Sequence, residues 1–157
     1  MHVRSANVPS VIFMPEGEAN NLVYELQCNP EDGAVRVIRG WKCASYAALH
    51  NEVAAALQFP GYYGENWDAM DECITDLAWT PAQWYLIHVS GIESVLPDDE
   101  KDFRIFLRVL YDTGATWAHP QSRGLADVEG AGSKPFNTVI SGSAGGLLRA
   151  RKSLGVR

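Results

Sequence analysis

Residues 61–77 read GYYGENWDAMDECITDL, and they hold Glu65, Asp68, Asp71, Glu72 and Asp76 without a single Lys or Arg. Carboxylates this close repel one another, so a folded chain either leaves them to water or offers them to a cation. Asn66 is a good helix N-cap. Wound from Trp67 at about 100° per residue, Met70, Cys73, Ile74 and Leu77 fall on one apolar stripe. Asp68, Asp71, Glu72, Thr75 and Asp76 fall on the other face, with Trp67 on the border. Asp68 in the first turn is favoured by the helix dipole, whereas Asp76 near the end is not. Asp68–Glu72 and Glu72–Asp76 are like-charge pairs four residues apart, each destabilising by roughly 0.2–0.5 kcal/mol. A solvated face is the plain reading of this surface; a site for a cationic partner is the sharper one. Tyr62 and Tyr63, in the glycine-flanked loop before the helix, favour the second. One is expected to close the core, and the other to be an exposed interface anchor.

Other chemistries fit less well. Asp68 and Glu72 could form an acid/base pair, but an exposed helix face lacks the dry pocket that raises one carboxyl. The four histidines, His2, His50, His88 and His119, show neither metal-ligand nor triad spacing. No catalytic residue, metal or cofactor is expected, and the chain does not read as an enzyme. The run VISGSAGGLLRARK places a Gly-rich turn, residues 142–146, before a basic helix that could hold a phosphate or nucleotide at its N-terminus. It fits no complete phosphate-loop pattern.

The elements that must carry the acidic segment follow from pattern. A chain of 157 residues suits a single domain, 1–157, with a core that needs no disulfide. SVIFM and LVYELQC, separated by PEGEANN, read as an N-terminal β-hairpin over residues 10–30. AVRVIRG is a strand, and SYAALHNEVAAALQ is a helix capped by Ser45 and stopped by Phe59-Pro60-Gly61. WYLIHV is a buried strand. DDEKDFRIFLRVLYDTG is a helix expected to end at Gly114. A surface loop is expected over 117–135, then the strand PFNTVIS, and a short helix in the basic tail 147–157. This order is that of a small α/β domain with parallel strands.

Charge sharpens the functional reading. The net charge is −6, and between Lys42 and Lys101 there are ten acids and no Lys or Arg. The bases gather at Arg36, Arg39 and Lys42, and again at Arg149, Arg151, Lys152 and Arg157. Such a surface steers cationic partners and repels polyanions, so nucleic acid is not expected to bind it directly. The three cysteines lack paired spacing, and no run is apolar enough to span a membrane. A cytoplasmic, monomeric protein is expected.

FPGYYGENWDAMDECITDL closely resembles the signature of the barstar family, intracellular inhibitors of barnase-type ribonucleases. The matching elements are Pro60, Tyr62 to Asn66, Asp68, Ala69, Glu72, Cys73, Ile74 and Thr75, and the flanking elements extend the resemblance over about residues 34–141. It implies a three-stranded parallel sheet packed by helices, here with the hairpin as an extension. It also implies a plug for the active site of a basic extracellular ribonuclease. Carried over by position, the partner-binding residues are Tyr62, Tyr63, Gly64, Asn66, Trp67, Asp68, Asp71, Glu72, Thr75 and Asp76. Carboxylates there would stand in for substrate phosphates toward Arg, Lys and His donors. Three positions depart from the family: Glu72 replaces its most important aspartate, Asp71 replaces a tryptophan, and Val109 aligns with an acidic contact on the later helix. The alternatives are a non-inhibitory module for another basic protein, or a phosphate or nucleotide site at the turn 142–146.

Overall fold

The computed structural model of the chain describes residues 3–5, 10–119 and 132–157. Its strands are β1 (Val11–Pro15), β2 (Gly33–Arg39), β3 (Trp84–Ser90) and β4 (Phe136–Gly142). They form one sheet in the order β1-β4-β3-β2, with every neighbouring pair parallel. The helices are α1 (Glu16–Cys28), α2 (Tyr46–Leu57), α3 (Trp67–Asp76), α4 (Glu100–Ala118) and α5 (Ala144–Leu154).

Period-two alternation divides the strand side chains between two apolar layers. Phe13, Ala34, Ile38, Tyr85, Ile87, Val89, Phe136 and Ile140 face the larger core with α2, α3, α4 and α5. Met14, Val35, Trp84, Leu86 and Val139 face the smaller one with Ala19, Val23 and Leu26 of α1. β3 is buried along its whole length, as expected of an inner strand of a parallel sheet covered on both faces.

The parallel α/β class agrees with the sequence reading, but the sheet has four strands rather than three. The extra strand is β1, paired with β4 from Val11↔Thr138 to Pro15↔Gly142. Residues 10–30 are therefore no hairpin: β1 leads directly into α1. A strand would put Leu22, Tyr24 and Leu26 on one face, yet Tyr24 is 69% exposed. Burial instead follows Ala19, Val23 and Leu26, which is helical spacing. Starting at one sheet edge, α1 touches all four strands and delivers the chain to β2 at the other edge.

A polar junction fastens α1 to the sheet. The Glu16 carboxylate accepts hydrogen bonds from Ser141 Oγ (2.8 Å) and the Gly91 amide (3.1 Å). Since Ser141 gives its only proton to Glu16, His88 Nε2, 2.7 Å from Ser141 Oγ, is the donor in that contact.

The other helices lie near the expected positions. Gly114, however, does not end α4, which continues to Ala118. Its absent side chain makes room for Ser10, whose Cβ would be 2.2 Å from a Cβ at that position. Of the expected loop 117–135, Trp117 and Ala118 belong to α4, residues 132–135 lack regular structure, and 120–131 lie outside the described residues. No helix among the described residues is long and apolar enough to cross a membrane.

Candidate functional site

The acidic helix α3 is built as its sequence dictates. Asn66 Oδ1 accepts the Ala69 amide at 2.9 Å, capping the helix start. Met70, Cys73, Ile74 and Leu77 are buried, and Met70 and Ile74 have no exposed surface. Asp68, Glu72 and Asp76 are exposed, while Asp71, Thr75 and Trp67 are half-buried. Leu77 closes the helix in the left-handed conformation at φ 49°, and Trp117 Nε1 of α4 donates to the Ile74 carbonyl at 3.2 Å. This end is thus satisfied by a side chain from outside the helix.

The loop before α3 separates the two tyrosines. Tyr62 is 76% exposed. Tyr63 turns inward, packs edge-on against Phe59 at 4.8 Å and shares a hydrogen bond with His50 Nδ1 of α2. Gly64 and Asn66 are exposed beside them. Glu65 holds a φ of 50°, and its carbonyl accepts the Tyr46 hydroxyl at 3.2 Å. The indole of Trp67 meets Tyr46 edge-on at 5.6 Å and donates to Asp102 Oδ1 of α4 at 3.1 Å. Three neighbouring hydrogen bonds and one ring contact therefore tie the loop and the start of α3 to α2 and α4.

Burial governs the titration of this support. It holds His50 below the ordinary imidazole value, against the opposing pull of the Glu65 and Asp102 carboxylates. It raises the Tyr63 and Tyr46 phenols, so both remain protonated donors at neutral pH. The Cys73 thiol is raised chiefly by burial, with Asp76 and Glu72 adding to it.

Tyr46, His50 and Asp102 are the supporting residues that linear pattern did not single out. The four-residue spacing of Tyr46 and His50 places them on one side of α2, but their target lies across the fold. The absence of bases is likewise a property of the linear segment alone. Arg104 and Arg108 of α4 line a groove together with Trp67, Asp68 and Asp71. Val109 lines the same groove. Thr75 spends its hydroxyl proton on its own helix, 2.6 Å from the Asp71 carbonyl.

The Gly-rich turn meets two of its amides from within the chain. Glu93 places a carboxylate oxygen 3.0 Å from the Ser143 amide, and Ser143 Oγ accepts the Gly146 amide at 3.1 Å. A Cβ on Gly142 would come within 2.2 Å of that Glu93 oxygen. At the Ser143 amide the chain's own carboxylate takes the place an external anion would use. No cluster of His, Cys, Asp and Glu suited to a metal occurs among the described residues.

Comparison with known families decides the kinship. The sequence model of the family described as barstar (barnase inhibitor) matches residues 33–129, more than half of the 157-residue chain. The chain belongs to the barstar family. The barstar match begins at the first residue of β2, so β1 and α1 precede it, and it ends ahead of β4 and α5. Among curated proteins no significant match is found.

Proposed function

We propose that this barstar-family protein binds a basic secreted ribonuclease and blocks its active site with α3 and the preceding loop. The observation that carries the reading is the row Asp68, Glu72 and Asp76, exposed on a helix whose other face is core. Tyr62 extends the surface as an exposed aromatic. Gly64, Asn66, Trp67, Asp71 and Thr75 complete the contact face, and Tyr63 supports it from beneath. The chemistry is charge-assisted hydrogen bonding from the nuclease's cationic groups to carboxylates that take the place of substrate phosphates. Pinning the loop through Tyr46, Tyr63 and Trp67 lowers the ordering cost of binding.

The test is ribonuclease inhibition by wild type, Asp68→Ala and Glu72→Ala. The nucleases are barnase and any basic ribonuclease retained by the protein from the secreted fraction of its own cells. Wild type is expected to inhibit at least one of them. Either substitution should cost about 2–5 kcal/mol of binding, the usual cost of truncating one partner of a buried, hydrogen-bonded charge pair. Association should slow as salt rises. Equal inhibition by wild type and both variants, or none by wild type, would reduce the acidic face to a solvated surface.

A further inference from the structure

Between α3 and α4 runs an open groove of about 490 Å³, lined by Trp67, Asp68, Asp71, Arg104, Ile105, Arg108, Val109 and Asp112. Trp67, Ile105 and Val109 are half-buried and give it an apolar lining, whereas Asp68, Arg104, Arg108 and Asp112 are exposed. Arg104 and Arg108 form no ion pair among the described residues. The Arg108 guanidinium rests over the Tyr111 ring at 5.4 Å. Arg104 also borders a second cavity, toward α5, which it shares with Lys152. Arg149, in that second cavity, is consumed internally by Glu100 and the carbonyls of Val95 and Leu96.

Across this single groove the contact face passes from the carboxylates of α3 to an α4 wall where Arg104 and Arg108 outnumber Asp112. Asp68, Arg104 and Arg108 line the same groove, so a partner covering Asp68 also meets the field of both arginines, which salt screens over about 8–10 Å. Resting on the inhibitor reading above, we propose that Arg104 and Arg108, over the apolar lining of Ile105 and Val109, are specificity determinants. They select a basic ribonuclease that brings a carboxylate to the α4 side of its cationic site. They disfavour one that is cationic there as well. Selection of this kind works through repulsion of the wrong partner as much as attraction of the right one.

Barnase is a suitable probe, because the family to which the chain belongs is described as barnase inhibitors and an acidic contact face calls for a cationic partner site. Inhibition constants and association rates with barnase are measured for wild type, Arg104→Ala/Arg108→Ala and Arg104→Glu/Arg108→Glu. All the substituted side chains are exposed. The alanine pair should inhibit barnase about tenfold more tightly than wild type and the glutamate pair more tightly still. The gain should come largely through faster association at low salt and shrink as salt rises. Equal or weaker inhibition by both variants overturns the proposal, and so does an absence of inhibition by all three proteins. Asp68→Ala, made in the wild-type and double-alanine backgrounds, separates the two readings. If it weakens inhibition while the arginine variants gain nothing, only the specificity proposal fails. If it has no effect in either background, the acidic-face reading fails and the proposal with it.

Discussion

Between Tyr46 and Trp67 the buried His50 ring shares its Nδ1 with the Tyr63 hydroxyl, while Nε2 has no hydrogen-bond partner among the described residues. Burial holds His50 and His88 below the ordinary imidazole value. The unfolded chain then takes up protons near pH 6.5 that the folded chain refuses. The stability associated with neutral His50 and His88 is complete above about pH 6.5 and is lost as pH falls toward their lowered folded values. Denaturant unfolding followed between pH 8 and 5 should show this decline. His50→Gln should reduce its slope without abolishing it, because His88 remains. An unchanged slope would mean that His50 is protonated as readily in the folded state as in the unfolded one. Tyr63→Phe keeps the ring but strands His50 Nδ1, and should cost about 1–3 kcal/mol in unfolding measurements at neutral pH.

For α3, sequence and structure agree because every local signal points the same way: the Asn66 cap, the Met70–Cys73–Ile74–Leu77 stripe and the carboxylates opposite. Asn66→Ala should destabilise the fold by about 1 kcal/mol through the lost cap. Glu72→Gln should change stability by no more than about 0.5 kcal/mol, since it removes only like-charge repulsion. A loss above roughly 2 kcal/mol on Glu72→Gln would reveal a structural role for that carboxylate. In α1 the strand-prone run Leu22, Val23 and Tyr24 hides a helical period that rests on only Ala19, Val23 and Leu26. Gly114 misled for a related reason: a glycine that permits close approach looks, in sequence, like one that ends a helix. The candidate site was legible along α3 and its loop. Tyr46, His50, Asp102, Arg104 and Arg108 were not, because α2 and α4 bring them in from distant parts of the chain.

At the scale of the whole molecule, the family match begins at residue 33, yet one face of the sheet depends on what precedes it. α1 covers Val35, Trp84, Leu86 and Val139, and Glu16 bonds Ser141 and the Gly91 amide beneath its first turn. Met14, Val23 and Leu26 are nearly fully buried, and each such side chain contributes about 1.5–3 kcal/mol. Their combined loss approaches the total stability of about 5–15 kcal/mol expected of a domain. Deleting residues 1–32 should therefore give a chain that lacks cooperative unfolding, binds a hydrophobic dye and exposes Trp84 to quencher. Glu16→Ala is the milder companion. It leaves the apolar cover in place but strands the Gly91 amide and leaves the Ser141 hydroxyl with His88 alone, at a cost of about 1–3 kcal/mol. Glu16 bonds β4 and the Gly91 turn rather than α3, so this variant should lose stability while inhibiting the nuclease like wild type below its unfolding midpoint. If the deletion unfolds cooperatively at the wild-type midpoint, β1 and α1 are an appendage rather than part of the core. If Glu16→Ala loses inhibition while remaining folded, the junction at Gly91 is coupled to the contact face across the sheet.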